Sequence, residues 1–298
     1  MPAGLIAGLF TSLAWGVVDI TAALSGHRVG SLRTLAATQV ISVAVLLGFI
    51  VLDPTRLGSD PIAGMTAGLP IGVLAGLAYI GYFTALKLGP LAVVSPIIIA
   101  YGGLTVILAV LFRGETLLPL QAAGAVLATA GVILTGVAFS RRSLRSARLV
   151  GPGVLIAFVT IGLFALVTVF MSGPIREHGW LPVAVGSRLA NASFVLVLLA
   201  IGSRGSTSLR PLMLPGNPWS RAAVLLVLAT GLFDVAGFIC FAIGLEVAPV
   251  WLIGLASSFG PVLAIGYAVW RMGERLRPTQ WAGLALLGVG VVVLAVSG

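Results

Sequence analysis

The chain has 298 residues, of which 59% are hydrophobic and 8% are charged. Soluble domains carry about a quarter charged residues, so this composition excludes a water-soluble globular protein and predicts that most of the surface faces lipid. The formal net charge of +9 comes from basic residues scattered between apolar runs. This pattern argues against a nucleic-acid partner and fits charges that orient helices in a bilayer.

Ten apolar segments reach the roughly 20 residues that a membrane-spanning helix requires. In chain order they are 3–25, 30–52, 66–87, 90–112, 117–138, 151–173, 180–202, 220–245, 248–271 and 277–297. The first lacks a basic region and a cleavage site, so we expect a mature helix. The sequence shows no alternating segments of about 10 residues such as a β-barrel requires. We therefore predict an all-α, multi-pass membrane protein with ten transmembrane helices.

The sequence contains an internal repeat. Residues 272–293 match residues 113–134 at ten of 22 positions, an offset of 159 that extends back through the third and fourth helices. An offset of 149 aligns the first two helices with the sixth and seventh and places Gln39 on Arg188. We predict two five-helix units, 1–140 and 151–298, joined by an Arg-rich linker at 141–150.

Because five crossings are an odd number, the second unit starts from the opposite membrane face and is inverted. Inverted repeats are typical of secondary transporters, with the substrate site near the midplane where the repeats meet. Exchanging the conformations of the two units then converts an outward-open state into an inward-open state of similar energy. The alternative is a duplication that only enlarged the bundle.

Both halves carry motifs of a known family. "SLAWGVVDI" and "LGPLAVVSPIIIAYGGLTVILAVLFRGETL" in the first half, and "VAPVWLIGLASSFGPVLAIGYAVWRMGERLRPTQWAGLALLGVGVVVL" in the second, resemble EamA-type modules of the drug/metabolite transporter superfamily. The resemblance is strongest to bacterial amino-acid exporters, including the aromatic type. It implies ten helices and export of small metabolites by alternating access. Phe164-Ala165 replaces the Trp15-Gly16 pair in the second copy, and no lysine occurs late in the first helix.

Two carboxylates are predicted at membrane depth, Asp234 midway along the eighth helix and Asp19 late in the first, four residues after Trp15. Ionisable groups inside a bilayer usually face a bundle interior or a wet cavity. We predict that one or both contact a substrate ammonium group or carry a coupling proton. The alternative is that each is neutral or hydrogen-bonded and joins two helices.

Aromatic residues fall in pairs under the same two offsets. Six rings would surround the pseudo-twofold axis if equivalent helices line a central cavity, where they suit an apolar side chain or a cation–π contact. Core packing or lipid contact is the alternative. The six are Trp15, Phe164, Tyr79, Tyr82, Phe238 and Phe241.

Prolines interrupt the fourth and ninth helices, at Pro96 and Pro261. A proline frees a backbone carbonyl upstream, which is tolerated at membrane depth where protein or water satisfies it. The freed carbonyls are predicted either to join a polar substrate site or to form kinks needed for gating. The polar residues nearby are Ser95, Tyr101, Ser257 and Ser258.

Other chemistries find no support in the sequence. A single cysteine, Cys240, excludes an internal disulfide and a Cys-based metal site, and the two histidines show no metal-ligand spacing. There is no phosphate-binding loop and no hydrolase-like constellation. We therefore predict a protein that is not an enzyme, without cofactor or metal, working as a monomer in a bacterial inner membrane on a small-molecule substrate. Cationic drugs or other metabolites as substrates, and a channel or scaffold, are the alternatives.

The basic residues also predict an orientation. Connections after the odd-numbered helices hold 13 Lys and Arg residues, whereas the opposite side holds four: Arg56, Arg113, Arg176 and Arg188. By the positive-inside rule the first side is cytoplasmic and both termini face outward. Glu115 and Glu274 precede the fifth and tenth helices, where we expect them to stabilise helix N-termini.

Overall fold

The structure is a computed structural model of the chain. It describes residues 2–88, 94, 97–98, 100–140, 151–204, 209–213, 219–260, 262–263, 266 and 278–297. Throughout these residues the regular secondary structure is helical. The predicted linker at 141–150, and Ser95, Pro96, Pro261 and Glu274, lie outside the described residues.

The helices are numbered in chain order. They are α1 (Pro2–Val29), α2 (Ser31–Leu52), α3 (Pro61–Leu88), α4 (Tyr101–Arg113), α5 (Pro119–Ser140), α6 (Pro152–His178), α7 (Trp180–Ser203), α8 (Arg210–Met213), α9 (Arg221–Val247), α10 (Val250–Ser257) and α11 (Pro278–Val296), with a 3₁₀ turn at Pro54–Leu57.

Seven helices within the described ranges are long and apolar enough to cross a membrane: α1, α2, α3, α6, α7, α9 and α11. Helices α4 and α5 contribute shorter apolar stretches. Eight of the ten predicted segments coincide with observed helices to within a few residues. The predicted segments 90–112 and 248–271 are described only in part, as α4 and α10. The all-helical, multi-pass architecture is confirmed.

Turn glycines repeat at the offset found in the sequence. Gly30 caps α2 with φ 99° and Gly179 caps α7 with φ 84°, and the two positions are 149 residues apart. A positive φ favours glycine because it has no Cβ. The same left-handed turn therefore reverses the chain between α1 and α2 and between α6 and α7.

The main helix contacts join the two halves of the chain in a repeated pattern. Helix α1 packs on α9, and α6 packs on α3. Helices with equivalent places in the two halves meet each other, as α2 with α7, α4 with α10 and α5 with α11. We call the end of the bundle with the α1–α2 and α7–α9 connections face A, where Gly30 adjoins Met213. Face B carries the α2–α3 and α6–α7 connections, where Gly58 adjoins His178.

Near face B, α3 and α7 are in backbone contact. A methyl group on Gly68 would collide with the carbonyl oxygen of Val183, and one on Gly72 with that of Ser187. One on Gly186 would collide with the carbonyl oxygen of Met65. Glycine lets helix backbones approach where lipid supplies no hydrophobic drive for association. The glycines thus bring α3 and α7 together at this end of the bundle.

Glu115 stabilises a helix N-terminus, but one in the other half of the chain. Its two carboxylate oxygens accept hydrogen bonds from the amides of Val250 (2.8 Å) and Trp251 (3.0 Å), at the start of α10. Arg176 lies 3.6 Å from the same carboxylate and donates to the carbonyl oxygen of Ala248. The expectation that Glu115 serves the helix that follows it is wrong, because its oxygens are committed to α10.

We expect Glu115→Ala to lower the free energy of unfolding by about 2 kcal/mol, since two charge-assisted hydrogen bonds to helix amides are lost. Thermal unfolding in detergent measures the change. Glu246→Gln is the control, because Glu246 is exposed near the end of α9. Equal unfolding midpoints for the two variants would contradict the assignment.

Candidate functional site

A cavity of about 140 Å³, with mainly apolar walls and several polar side chains, lies between α1, α2, α3 and α9. It occupies the half of each helix that is nearer to face A. Its lining residues are Val18, Asp19, Ala22, Ala23, Thr34, Leu35, Thr38, Gln39, Tyr79, Tyr82, Phe83, Thr230 and Asp234. Four residues predicted to bind substrate, Asp19, Tyr79, Tyr82 and Asp234, are thus brought together.

Asp19 is the exposed acid of this cavity, although it lies well inside the spanning helix α1. Two residues later, Thr21 accepts a 3.0 Å hydrogen bond from Thr230, which joins α1 to α9 beside the cavity. A carboxylate at this depth is costly unless water or a cation reaches it. Its position suits contact with a solute that enters the cavity.

Asp234 takes part in a buried ion pair. Its Oδ2 lies 2.9 Å from Nη1 of Arg188 on α7 and accepts a 3.1 Å hydrogen bond from the hydroxyl of Ser42 on α2. The same Arg188 nitrogen donates to Oε1 of Gln39 at 3.0 Å, and the guanidinium carbon lies 3.9 Å from the centre of the Phe238 ring. The network joins α2, α7 and α9 at the base of the cavity.

Arg188 corrects the charge count. The charge count places it among the four basic residues of one membrane side, yet it is 3% exposed and paired with the carboxylate of Asp234. The sequence contains a sign that Arg188 is interior, because this residue lies within an apolar segment and aligns with Gln39 at the offset of 149. Those two aligned residues touch each other, as expected for a pair near a pseudo-twofold axis. Without Arg188, 13 basic residues lie on one membrane side and three on the other.

Several buried polar groups near the cavity have unused hydrogen-bonding capacity. Among the described residues, the amide nitrogen of Gln39 and the hydroxyls of Thr34 and Thr38 have no partner, and all three residues line the cavity. Nε of Arg188 and Nε1 of Trp15 are also without one. A buried donor without a partner is costly, so a surplus of donors points to a ligand that accepts hydrogen bonds.

The aromatic residues divide between the cavity and the packed interior. Tyr79 and Tyr82 line the cavity, and Phe164 contacts Tyr79 edge-on at 5.5 Å between ring centroids. Trp15 lies 5.3 Å from Phe241, and both belong to the main hydrophobic core with Phe238. The six rings therefore do not all line one chamber in this conformation.

The polar residues predicted near the prolines of the fourth and ninth transmembrane segments, which are α4 and α10 in the structure, contact each other outside the cavity. The hydroxyl of Tyr101 lies 2.8 Å from that of Ser257, and the Tyr101 ring lies 6.3 Å from Phe164. Ser258 is buried and donates to the carbonyl oxygen of Leu255. These side chains join α4, α6 and α10 but do not line the cavity. The proposed kink residues and Ser95 are outside the described part of the chain.

Near face B, most counterparts of the cavity residues are buried. Six of the cavity residues are buried as well, namely Thr34, Leu35, Thr38, Gln39, Thr230 and Asp234, so the difference lies in the other seven. At the two offsets, Asp19 corresponds to Thr168, Thr38 to Ser187 and Tyr82 to Phe241, and all three counterparts are buried. Further buried counterparts of cavity residues are Met171, Ser172, Val183, Ala184, Arg188, Phe238, Ala242 and Ile71. The partly exposed lining residues thus belong to α1 and α3 of the first half, whereas six of their seven counterparts in the second half are buried.

The described residues offer no group of His, Cys, Asp and Glu that could hold a metal ion. What the site presents is a carboxylate, a buried ion pair, free hydrogen-bond donors and aromatic walls. Such a set can bind and orient a small polar solute.

Comparison with known proteins agrees with the fold. The sequence profile of the EamA-like transporter family matches residues 2–137 and again 151–296. A crystal structure of another protein superposes with a TM-score of 0.76 at 22% identity, covering 98% of this chain and 96% of that one; it is among 29 chains of solved structures that match. No curated protein matches the chain. The two profile matches together cover nearly all of the sequence, and the chain belongs to the EamA-like transporter family of multi-pass membrane proteins.

Proposed function

We propose that the protein is a secondary transporter that exports neutral amino acids, aromatic ones among them, by alternating access between two inverted repeats. The observation that carries the proposal is the difference between the halves. Seven of the lining residues are at least partly exposed near face A, and the counterparts of six of these near face B are buried. If the repeats exchanged conformations, the buried set would line a chamber at face B and the present cavity would close.

The cavity chemistry supports an amino-acid substrate. The amide nitrogen of Gln39 and the hydroxyls of Thr34 and Thr38 supply donors for a carboxylate, and Asp19 supplies a counter-charge for an ammonium group. Tyr79 and Tyr82 offer apolar ring faces for a neutral side chain. A zwitterion would thereby satisfy both the surplus donors and the free acid.

The direction of transport follows from charge. The connections on face A belong to the side that holds the larger number of basic residues, which the positive-inside rule places in the cytoplasm. The present cavity then takes solute from the cytoplasm and releases it at face B, across a bacterial inner membrane. Proteoliposome counterflow with a panel of labelled amino acids, with and without a pH gradient, tests this assignment. Absence of saturable counterflow for every amino acid would remove the substrate class.

Cationic drugs are the second candidate, favoured by the exposed acid beside Tyr79 and Tyr82. A cation without a carboxylate makes no use of Gln39 or Thr38. Uptake of such a drug would therefore be insensitive to Thr38→Val, whereas amino-acid uptake would weaken about tenfold for one lost hydrogen bond to a charged group.

Asp19 has a further consequence for the transport cycle. In the exchanged conformation it would occupy the environment that Thr168 now has, where exposure is 3%. Burying an unpaired carboxylate at this depth costs several kcal/mol, so closure would require a substrate cation or a proton on Asp19. The empty carrier would then return with a proton, which couples export to the proton gradient.

We expect Asp19→Asn to raise the KM for amino acids by about tenfold or more and to abolish the effect of a pH gradient on flux. Counterflow and gradient-driven uptake in proteoliposomes measure the two effects. Glu246→Gln is the matched control, because it removes an exposed acid outside the cavity. A variant whose flux still followed the pH gradient would show that coupling lies elsewhere.

A further inference from the structure

A second, larger recess lies outside the central cavity. It occupies about 560 Å³ between α2, α7 and α9. Its walls are apolar except for one guanidinium group, that of Arg33. The lining residues are Arg33, Ala36, Ala37, Val40, Ile41, Leu196, Leu199, Trp219, Val224, Val227 and Leu228. We call this recess the α2–α9 groove.

The groove has the depth of one bilayer leaflet. It runs along α2 from Arg33 to Ile41, eight residues or about 12 Å of helix. Half of a hydrocarbon core is about 15 Å thick. Its upper end lies where α2 and α9 begin and α7 ends, so Arg33 and Trp219 are at headgroup level on face A. Tryptophan is typical of that level.

Its surface faces outward. Val40, Leu196 and Leu228 are large apolar side chains that the described part of the bundle leaves exposed. Arg33 has no ion-pair or hydrogen-bond partner among the described residues. An apolar slot of leaflet depth with one free cation at its mouth is complementary to a phosphate group with an attached acyl chain.

Comparison of the two halves shows how the α2–α9 contact at face A differs from the α3–α7 contact at face B. The counterparts of Val227 and Ala37 are Gly68 and Gly186, which hold α3 and α7 in backbone contact near face B. On face A, the bulkier residues at these places keep α2 and α9 in contact through side chains, with Ala37 and Ile41 packed on Ala223 and Val227. Closing the cavity at face A requires α2 and α9 to approach, which would empty the groove.

We propose that the α2–α9 groove binds one anionic phospholipid, with its phosphate on Arg33 and an acyl chain along Ala37 and Ile41. Bound lipid prevents α2 and α9 from approaching beyond their present side-chain contact and stabilises the conformation that is open to face A. The regulatory part rests on the proposed alternating access. The binding part does not, and it is tested without substrate or flux.

Native mass spectrometry of the full chain, purified in neutral detergent and titrated with phosphatidylglycerol or phosphatidylcholine, provides the test. We expect preferential retention of phosphatidylglycerol, reduced about fivefold by Arg33→Gln, since a basic residue at the surface contributes about this factor. Ala37→Phe, which fills the groove, should reduce retention of both lipids. Arg28→Gln is the control, because Arg28 is an exposed cation on the same face outside the groove.

Equal retention of the two lipids, or equal loss in Arg33→Gln and Arg28→Gln, would overturn the site. Thermal unfolding of each variant confirms that it is folded, and inorganic phosphate added in excess should not displace the lipid. Lipid binding without any amino-acid counterflow would leave the site in place and remove only the proposed transport function.

Discussion

Replacing Arg188 with leucine is expected to lower the free energy of unfolding by about 3–5 kcal/mol, because Asp234 is then left buried without a counter-charge. The carboxylate would keep only the hydrogen bond from Ser42, at 3.1 Å. Asp234→Leu should cost a similar amount, since it leaves the guanidinium with the amide oxygen of Gln39 alone. Thermal and denaturant unfolding in a fixed detergent measure both changes.

The double variant separates folding from transport. Two buried charges replaced together by apolar side chains often leave stability unchanged or raised, so Arg188→Leu with Asp234→Leu should recover most of the lost stability. We expect this stable protein to show no counterflow. Arg56→Gln, which breaks an exposed pair with Asp53, is the control and should leave the unfolding midpoint unchanged. Normal flux in the double variant would show that the network only joins the helices and is not required for transport.

The position of this network explains why it should matter. Gln39 and Arg188 occupy equivalent places in the two halves and contact each other. A contact on the pseudo-twofold axis maps onto itself when the halves exchange conformation, so it can persist in both states. The helices around it would change partners while this contact serves as a fixed point. Arg188→Lys should weaken it, because an ammonium group lacks the planar fork of donors.

Much of the fold could be predicted from the sequence because a bilayer fixes helix length. Runs of about 20 apolar residues predicted α1, α2 and α7 to within a few residues. The offset of 149 found in the sequence also relates the turn glycines Gly30 and Gly179 of the structure. These features depend on local composition and on spacing, which one sequence contains. The position of Asp19 within the spanning helix α1 could be predicted for the same reason.

The pairing of side chains could not be predicted in the same way. Arg188 was counted as a membrane-side charge because its partner Asp234 lies 46 residues away on another helix. Glu115 caps α10, 135 residues further along, rather than its own neighbour. Nor does a sequence state which half is open, so Tyr82 lines the cavity while its counterpart Phe241 is buried. Such contacts depend on how helices distant in the chain pack.

The second prediction concerns the close contact that glycine residues allow between α3 and α7 near face B. Gly72→Ala places a methyl group against the carbonyl oxygen of Ser187, a backbone atom that cannot rotate away. Overpacking of this kind costs about 1–3 kcal/mol in the conformation that contains the contact. If the halves exchange, that cost falls on the present state alone and shifts the population towards the state open to face B by about 5- to 150-fold.

Cysteine labelling measures the shift directly. The single cysteine is first removed as Cys240→Ser, and a reporter is introduced as Ala23→Cys in the cavity or Ser172→Cys at its buried counterpart. We expect Gly72→Ala to slow labelling at position 23 and to accelerate it at position 172. Opposite changes at equivalent positions are the signature of alternating access, whereas local unfolding accelerates both.

Two glycine controls isolate the cause. Gly162→Ala adds a methyl group in open space on α6 and should change neither rate. Gly231→Ala, the counterpart of the Gly72 substitution, meets the side chain of Ile41 rather than a backbone carbonyl oxygen and should change labelling less. A static channel or scaffold has no second state to populate, so unchanged labelling at both reporters in a folded Gly72→Ala protein would contradict the exchange of halves. Reciprocal changes confined to Gly72→Ala would instead identify the α3–α7 contact as the barrier that keeps face B closed.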